Sequence, residues 1–216
     1  MKDHIHRLIA EGEHQQLDFK FEIADARKIA RSLVAFANTD GGRLLIGVKD
    51  NGAIAGVRSD EEYFMLEAAA GIYCKPPVPF EFREWNVNGK TVLEVTIRKS
   101  DQKPHQAESR EGHWIAYIRA GDQNFPANRV LLRVWKNEKR NTGISLHITE
   151  PERVLMKYLA ENPSITLSKF ARTAGISRQK AENILVRFVS LHFVGMRFTE
   201  NQVLYVPDQL SQADNI

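Results

Sequence analysis

Arg27, Lys28 and Arg31 lie little more than one helical turn apart. On a helix they share one face, and three cations so placed can track a phosphate backbone. They are equally an ordinary solvated face. A second basic group, Lys99, Lys103, His105 and Arg110, falls in a polar run from 99 to 112, with Arg119 just beyond the strand that follows. Such a run reads as a long surface loop, of the kind that carries function or moves. His105 either meets a phosphate there or is simply solvated. Asp18 and Lys20 alternate with Leu17, Phe19 and Phe21. A half-buried strand with that pattern turns both charges away from the core, towards solvent or a partner.

Two other patterns carry less chemistry. Gly42 and Gly47 have the spacing of a P-loop, but Val48-Lys49-Asp50 follows and the residues between them read as strand. A phosphate cradle needs a flexible glycine loop closed by Gly-Lys-Ser/Thr, so ATP hydrolysis is not expected. The seven histidines are scattered. His4 and His6, two residues apart, are badly placed to share a metal on a helix.

The elements that must position these groups follow from periodicity and punctuation. Residues 3–11 read as a short helix and 17–21 as a strand. Asp25 caps a helix over 26–38 whose apolar side is Ile29, Leu33, Phe36 and Ala37. Asn38-Thr39-Asp40-Gly41-Gly42 stops it, and Leu44 to Val48 reads as an apolar strand turned by Asp50-Asn51-Gly52. A helix from about 58 to Cys74 is stopped by Pro76-Pro77. Strands near 78–86 and 91–98 are joined by Asn88-Gly89, a strong hairpin signal. Another strand covers 114–118, and a helix starting near Pro126 shows Val130, Leu131 and Val134.

The chain has 216 residues, 43% hydrophobic and 26% charged, enough to bury a core. Its net charge of +3 and pI of about 9.0 are compatible with a nucleic-acid partner. Cys74, the single cysteine, excludes an internal disulfide and a multi-cysteine metal site, which fits a reducing compartment. The N-terminal residues lack a secretory pattern, and no run of ~18 apolar residues is present to span a membrane. The cytoplasm is the expected location.

Leu17-Asp18-Phe19-Lys20, Ala35-Phe36-Ala37-Asn38-Thr39-Asp40-Gly41-Gly42 and Gly47-Val48-Lys49-Asp50 occur in that order, followed later by Lys103-Pro104-His105 and by Ala116-Tyr117-Ile118-Arg119-Ala120-Gly121. Together these resemble the signature of the Schlafen/AlbA-like putative DNA-binding domain, over roughly residues 1–135. The resemblance implies a mixed α/β fold. It also implies a role for Glu13, Asp18 and Asp50. In the nuclease members of that group an acidic pair before Phe-Lys and a later acid form a metal-dependent RNA-cleaving site. Carboxylates there would hold Mg²⁺ or Mn²⁺, which polarises the phosphodiester and activates water. This chain departs from the pattern: its second acid is Asp, the segment leading to the third is shorter, and the cysteine/histidine zinc site is missing. The plainer reading makes Glu13 a turn residue, Asp18 a strand-face charge and Asp50 part of a hairpin turn.

Residues 148–208 read separately. Thr149 and Glu152 form a capping-box pattern with Pro151 in the first turn. Leu167-Ser168-Lys169-Phe170-Ala171-Arg172-Thr173-Ala174-Gly175-Ile176-Ser177 leads into a helix whose Ala181, Ile184, Leu185 and Phe188 repeat at helical spacing. Two strands, 193–198 and 202–206, close the segment. This pattern resembles a winged helix-turn-helix. The resemblance implies that Arg178, Gln179, Lys180, Asn183 and Arg187 reach DNA from the third helix, with Arg197 on the wing. Glu182 would interrupt the positive stripe. Winged helices also serve as dimerisation or docking modules.

The expected architecture is α+β: a mixed-sheet Schlafen/AlbA-like domain over 1–137, a linker over 138–147, a small winged-helix domain over 148–208 and a tail over 209–216. The expected function is nucleic-acid binding, with DNA as partner, in a bacterial transcriptional regulator, and two-fold symmetry would suit a homodimer. The competing expectations are a Schlafen-type endoribonuclease using Mg²⁺ or Mn²⁺ and a protein-interaction module. No other cofactor is expected.

Overall fold

The computed structural model describes residues 4–57, 61–140 and 148–208. They form α+β structure in two compact units divided between Pro126 and Ala127.

The first unit opens with α1 (His4–Glu11), β1 (Leu17–Lys20), α2 (Ala26–Asn38) and β2 (Gly42–Ile46). It continues through α3 (Glu61–Gly71), β3 (Cys74–Lys75), β4 (Phe80–Val87), β5 (Lys90–Ile97), β6 (Gln106–Glu108), β7 (Trp114–Ile115), β8 (Tyr117–Ala120) and β9 (Gln123–Pro126). The main sheet has the order β1-β2-β5-β4, with β1 parallel to β2 and the other pairs antiparallel. Both faces of this sheet are covered. Leu17 and Phe19 of β1 join Leu45, Val92 and the α1 residues Ile5 and Leu8 in one cluster. Leu44, Ile46, Leu93 and Val95 pack with α2 and α3 in the other. That second cover corrects the reading of Asp18. The side chain does alternate away from Phe19, but it turns under α2 and is only 3% exposed.

α2 is the centre of the unit. From Ser32 to Asn38 every residue is buried. Asp25 caps its start by accepting from the Arg27 N–H. Its last residues tie loops together. The Asn38 amide donates to the carbonyls of His105 and Tyr117, and its Oδ1 accepts from the His105 N–H. Gly41 follows at φ +71°, and a Cβ there would stand 2.8 Å from the Ile97 carbonyl oxygen. At Gly42 a Cβ would lie 2.4 Å from the Phe36 ring. The two glycines therefore let the chain turn from α2 into the middle of the sheet without clashing.

The remaining expectations differ mostly at boundaries. The hairpin at Asn88-Gly89 is present, with both residues at positive φ. At the earlier turn only Gly52 takes positive φ, while Asn51 accepts from the Ala53 N–H through its side chain. The helix expected from 58 to 74 is α3, which ends at Gly71; residues 58–60 lie outside the described residues. The polar run 99–112 is not wholly loop, because β6 pairs there with β3 and β7. The strand expected at 114–118 divides into β7 and β8, which pair with different neighbours.

The second unit begins with α4 (Arg129–Arg140), followed by α5 (Glu150–Glu161), α6 (Leu167–Thr173), α7 (Arg178–Ser190), β10 (Val194–Phe198) and β11 (Val203–Pro207). The expected start of α4 at Pro126 fails because that residue ends β9, and the Asn128 side chain accepts from the Leu131 N–H instead. The expected boundary at 137 also differs from the division seen. Val130 and Val134 of α4 pack with Leu155, Leu185 and Phe188, so α4 belongs to the second unit's core. Residues 141–147 of the expected linker and the tail 209–216 lie outside the described residues. α5 carries the expected capping box between Thr149 and Glu152. Thr166 and Ser177 cap α6 and α7, and β10 and β11 form an antiparallel ribbon.

Candidate functional site

β1 and α2 bring the conspicuous polar residues of the first unit together. Asp18 Oδ2 accepts from Ser32 Oγ at 3.2 Å, and Ser32 accepts from Asn124 Nδ2 at 3.1 Å. Arg119 closes the ring: its guanidinium lies 3.3 Å from Asn124 Oδ1 and 3.5 Å from Asp18 Oδ1. The same guanidinium donates to the carbonyls of His14 and Leu17. Lys20 Nζ sits 3.0 Å from Asp18 on the outer side. Glu13 reaches back over the strand end and accepts from the Phe19 N–H at 2.7 Å.

The two carboxyls are driven apart in acidity. Burial opposes charge on Asp18, but Lys20, the hydrogen bond from Glu13 and Arg119 outweigh it and hold Asp18 below the usual carboxylate range. Burial, then the hydrogen bond to Asp18, push Glu13 up. The arrangement is a carboxylate with its own counter-ions beside a second carboxyl whose acidity is weakened by burial and by that neighbour.

That arrangement does not fit a divalent metal. Lys20 and Arg119 already stand where a cation would neutralise Asp18. Asp50 is exposed on its turn and is not gathered with the other two acids. Among the described residues, no group of three or more His, Cys, Asp or Glu side chains could hold a metal ion.

Several basic residues expected to face a ligand are instead structural. Arg119 is 2% exposed and lies within the ring just described. His105 is 1% exposed; its ring nitrogens contact the Pro76 carbonyl at 2.9 Å and Ser100 Oγ at 2.7 Å, so it pins the loop rather than facing solvent. Arg27 stacks over Tyr73 at 4.4 Å and pairs with Glu108 at 3.5 Å. Arg31 lies over Tyr117 at 5.7 Å. Of that helix face, Lys28 is the exposed member, while Arg27 and Arg31 are half-buried. Lys99 is exposed 3.6 Å from Asp40, Lys103 is half-buried, and Arg110 pairs with Asp25 at 2.7 Å.

The second unit differs. Arg178, Gln179, Lys180 and Asn183 are all exposed on α7, and Lys169 and Arg172 are exposed on α6. Arg178 reaches Ser168 Oγ at 3.3 Å. Glu182 does not interrupt this surface, because it is buried and paired with Arg133 at 2.9 Å and Arg129 at 3.1 Å. Arg187 departs from expectation, since it pairs with the buried Glu152 of α5. Arg197 is half-buried on β10.

Sequence reading missed Ser32, Asn38 and Asn124 as members of these networks. Ser32 and Asn38 do carry a signal: each is a polar residue on the apolar run of α2. Asn124 carries none, because its role depends on the long-range placement of β9.

The first unit is thus an α+β domain built around a buried acid–arginine ring under α2. The family model for Schlafen, AlbA_2 matches residues 13–128, and the chain belongs to that family. Solved structures similar to it include the DIP2311 protein from Corynebacterium diphtheriae, at 21% identity and a TM-score of 0.46, with 65% of this chain and 33% of that one covered. The chain thus spans about a third of that protein's length. Another is the N-terminal domain of a RecG-related protein from Nitrosomonas europaea, at 20% identity and a TM-score of 0.40, with 69% of this chain and 99% of that one covered. No curated protein matches the chain. No helix among the described residues is long and apolar enough to cross a membrane.

Proposed function

We propose that this protein binds nucleic acid, with duplex DNA as the partner, and acts as a transcriptional regulator of the bacterial kind. In this reading the second unit is a winged helix-turn-helix. α7 is its recognition helix and the β10–β11 ribbon is its wing. Membership of the Schlafen/AlbA_2 family supports the nucleic-acid assignment in general terms. The observation that carries the DNA reading is the exposed face of α7, where Arg178, Gln179, Lys180 and Asn183 stand together while Glu182 is turned inward. Arg and Gln can read base edges, and Lys can neutralise phosphate. The exposed Lys169 and Arg172 of α6 add phosphate contacts to the same surface in this reading.

The test is an anisotropy titration of the full chain against a DNA duplex and a structured RNA, over a salt series, with and without Mn²⁺. Salt-sensitive duplex binding, weakened roughly tenfold in Arg178→Ala/Lys180→Ala, supports the proposal. Each lost phosphate contact lowers the salt slope by about 1. Absence of duplex binding at low salt rejects it. Metal-dependent RNA cleavage that is lost in Asp50→Ala would make the protein a nuclease instead. That variant suits the purpose because Asp50 is exposed.

A further inference from the structure

β4 is paired on one side only among the described residues, by β5. The two-residue turn at Asn88-Gly89 makes Val87 and Lys90 a hydrogen-bonded pair. By alternation, Glu81, Arg83 and Trp85 direct their backbone groups at β5, and Phe80, Phe82, Glu84 and Asn86 turn theirs to the open edge. An edge of eight residues is normally blunted by proline, by charges, lysine above all, or by a covering loop, and the charges of β4, Glu81, Arg83 and Glu84, are of both signs and so can complement a second copy. β4 contains neither proline nor lysine. It also presents Phe82, 44% exposed, beside Tyr63 with ring centroids 4.9 Å apart.

We propose that β4 is the seam of a homodimer, in which it pairs antiparallel with β4 of a second copy across a two-fold axis at Phe82. The register follows from charge. A symmetric seam must set outward-bonding residues opposite one another, so the axis passes through a residue rather than between two. An axis at Glu81, Arg83 or Glu84 would oppose that charge to its own copy, which is unfavourable. An axis at Phe82 stacks the two exposed rings and sets Glu81 opposite Arg83 of the second copy, twice by symmetry. Glu81 now pairs with Arg98 at 2.5 Å, with both side chains exposed, a link weak enough in water to be shared. The proposal does not rest on the nucleic-acid reading.

The test is light scattering after size exclusion on the full chain, over a concentration series. The wild type is expected to dimerise. Glu81→Arg sets two arginines opposite each other across the seam and should weaken the dimer by about tenfold or more. Phe82→Cys should form a covalent dimer on oxidation, since a hydrogen-bonded pair holds its Cα atoms at about 5.5 Å, within disulfide range. Glu84→Cys should not, and the native Cys74, buried in the core, stays silent. A monomer at every concentration overturns the proposal. So does a dimer indifferent to Glu81→Arg, or one cross-linked through Glu84→Cys rather than Phe82→Cys.

Discussion

The ring around Asp18 and the outer face of α7 are made of the same kinds of side chain and use them in opposite ways. In the first unit Asp18, Arg119, Ser32 and Asn124 satisfy one another under α2, and nothing in the ring needs a ligand. On α7 the cations stand in solvent while the acid, Glu182, is buried against two arginines of α4. A charge whose partners are already in the fold contributes to stability and specificity of packing. A charge left at the surface, with its counter-charge withdrawn, remains open to a partner. Residue type alone does not distinguish the two cases, whereas burial and pairing do.

The largest effect that would test this contrast is on stability. Asp18→Ala removes the carboxylate facing Arg119 and Lys20, leaving a buried guanidinium uncompensated. We expect a loss of about 3–5 kcal/mol in urea unfolding of the first unit. Asp50→Ala is the matched control, since Asp50 is exposed, and should stay within about 0.5 kcal/mol. Equal effects from the two substitutions would dissolve the distinction between the regions. Next in size is Asn38→Ala, which strands the His105 N–H and the carbonyls of His105 and Tyr117. A loss of about 3 kcal/mol is expected in the same assay.

These two residues also mark how far the sequence could be read. The helix caps at Asp25, Thr149 and Ser177, the Asn88-Gly89 hairpin and the apolar faces of α2 and α7 are local signals, and the fold realises each of them. Alternation correctly set Asp18 opposite Phe19, but it cannot show whether the second sheet face is wet or covered. That depends on α2 crossing it. Asn38 read as a helix stop, although its side chain is committed to backbone 67 and 79 residues away. Arg119 and His105 failed for the same reason: a basic residue in a polar run looks solvated until distant backbone closes over it. The exposed set on α7 was legible because a helix face is fixed by spacing alone. Arg187 escaped that reading because its partner, Glu152, belongs to another helix.

A third experiment addresses the exposed side of the comparison. Arg178→Ala/Lys180→Ala should leave unfolding within about 0.5 kcal/mol of the wild type, because both side chains are exposed. Duplex binding, measured by anisotropy, should fall roughly tenfold. Arg187→Ala should show the reverse balance. It removes the partner of buried Glu152 and should destabilise the second unit by about 2–3 kcal/mol, with a smaller effect on binding. Destabilisation by the α7 pair, or none by Arg187→Ala, would mean that the assignments of surface and support are exchanged.

The smallest effect separates the two acids within the buried region itself. Asp18 has its pKa lowered by folding, so the stability it adds is complete above its unfolded value, about 3.9, and is lost as pH falls through the folded value. Glu13 has its pKa raised, so its contribution is complete below its unfolded value, about 4.3, and is lost as pH rises through the folded one. Glu13→Gln keeps an oxygen for the Phe19 N–H and an N–H for Asp18, and so imitates the protonated acid at every pH. Thermal unfolding of this variant should match the wild type near pH 4 and lie slightly above it at pH 7, within about 0.5 kcal/mol. The acid-side decline caused by Asp18 should remain. A variant less stable than the wild type at pH 7 would show that the charged Glu13 carboxylate favours the fold, against the raised pKa.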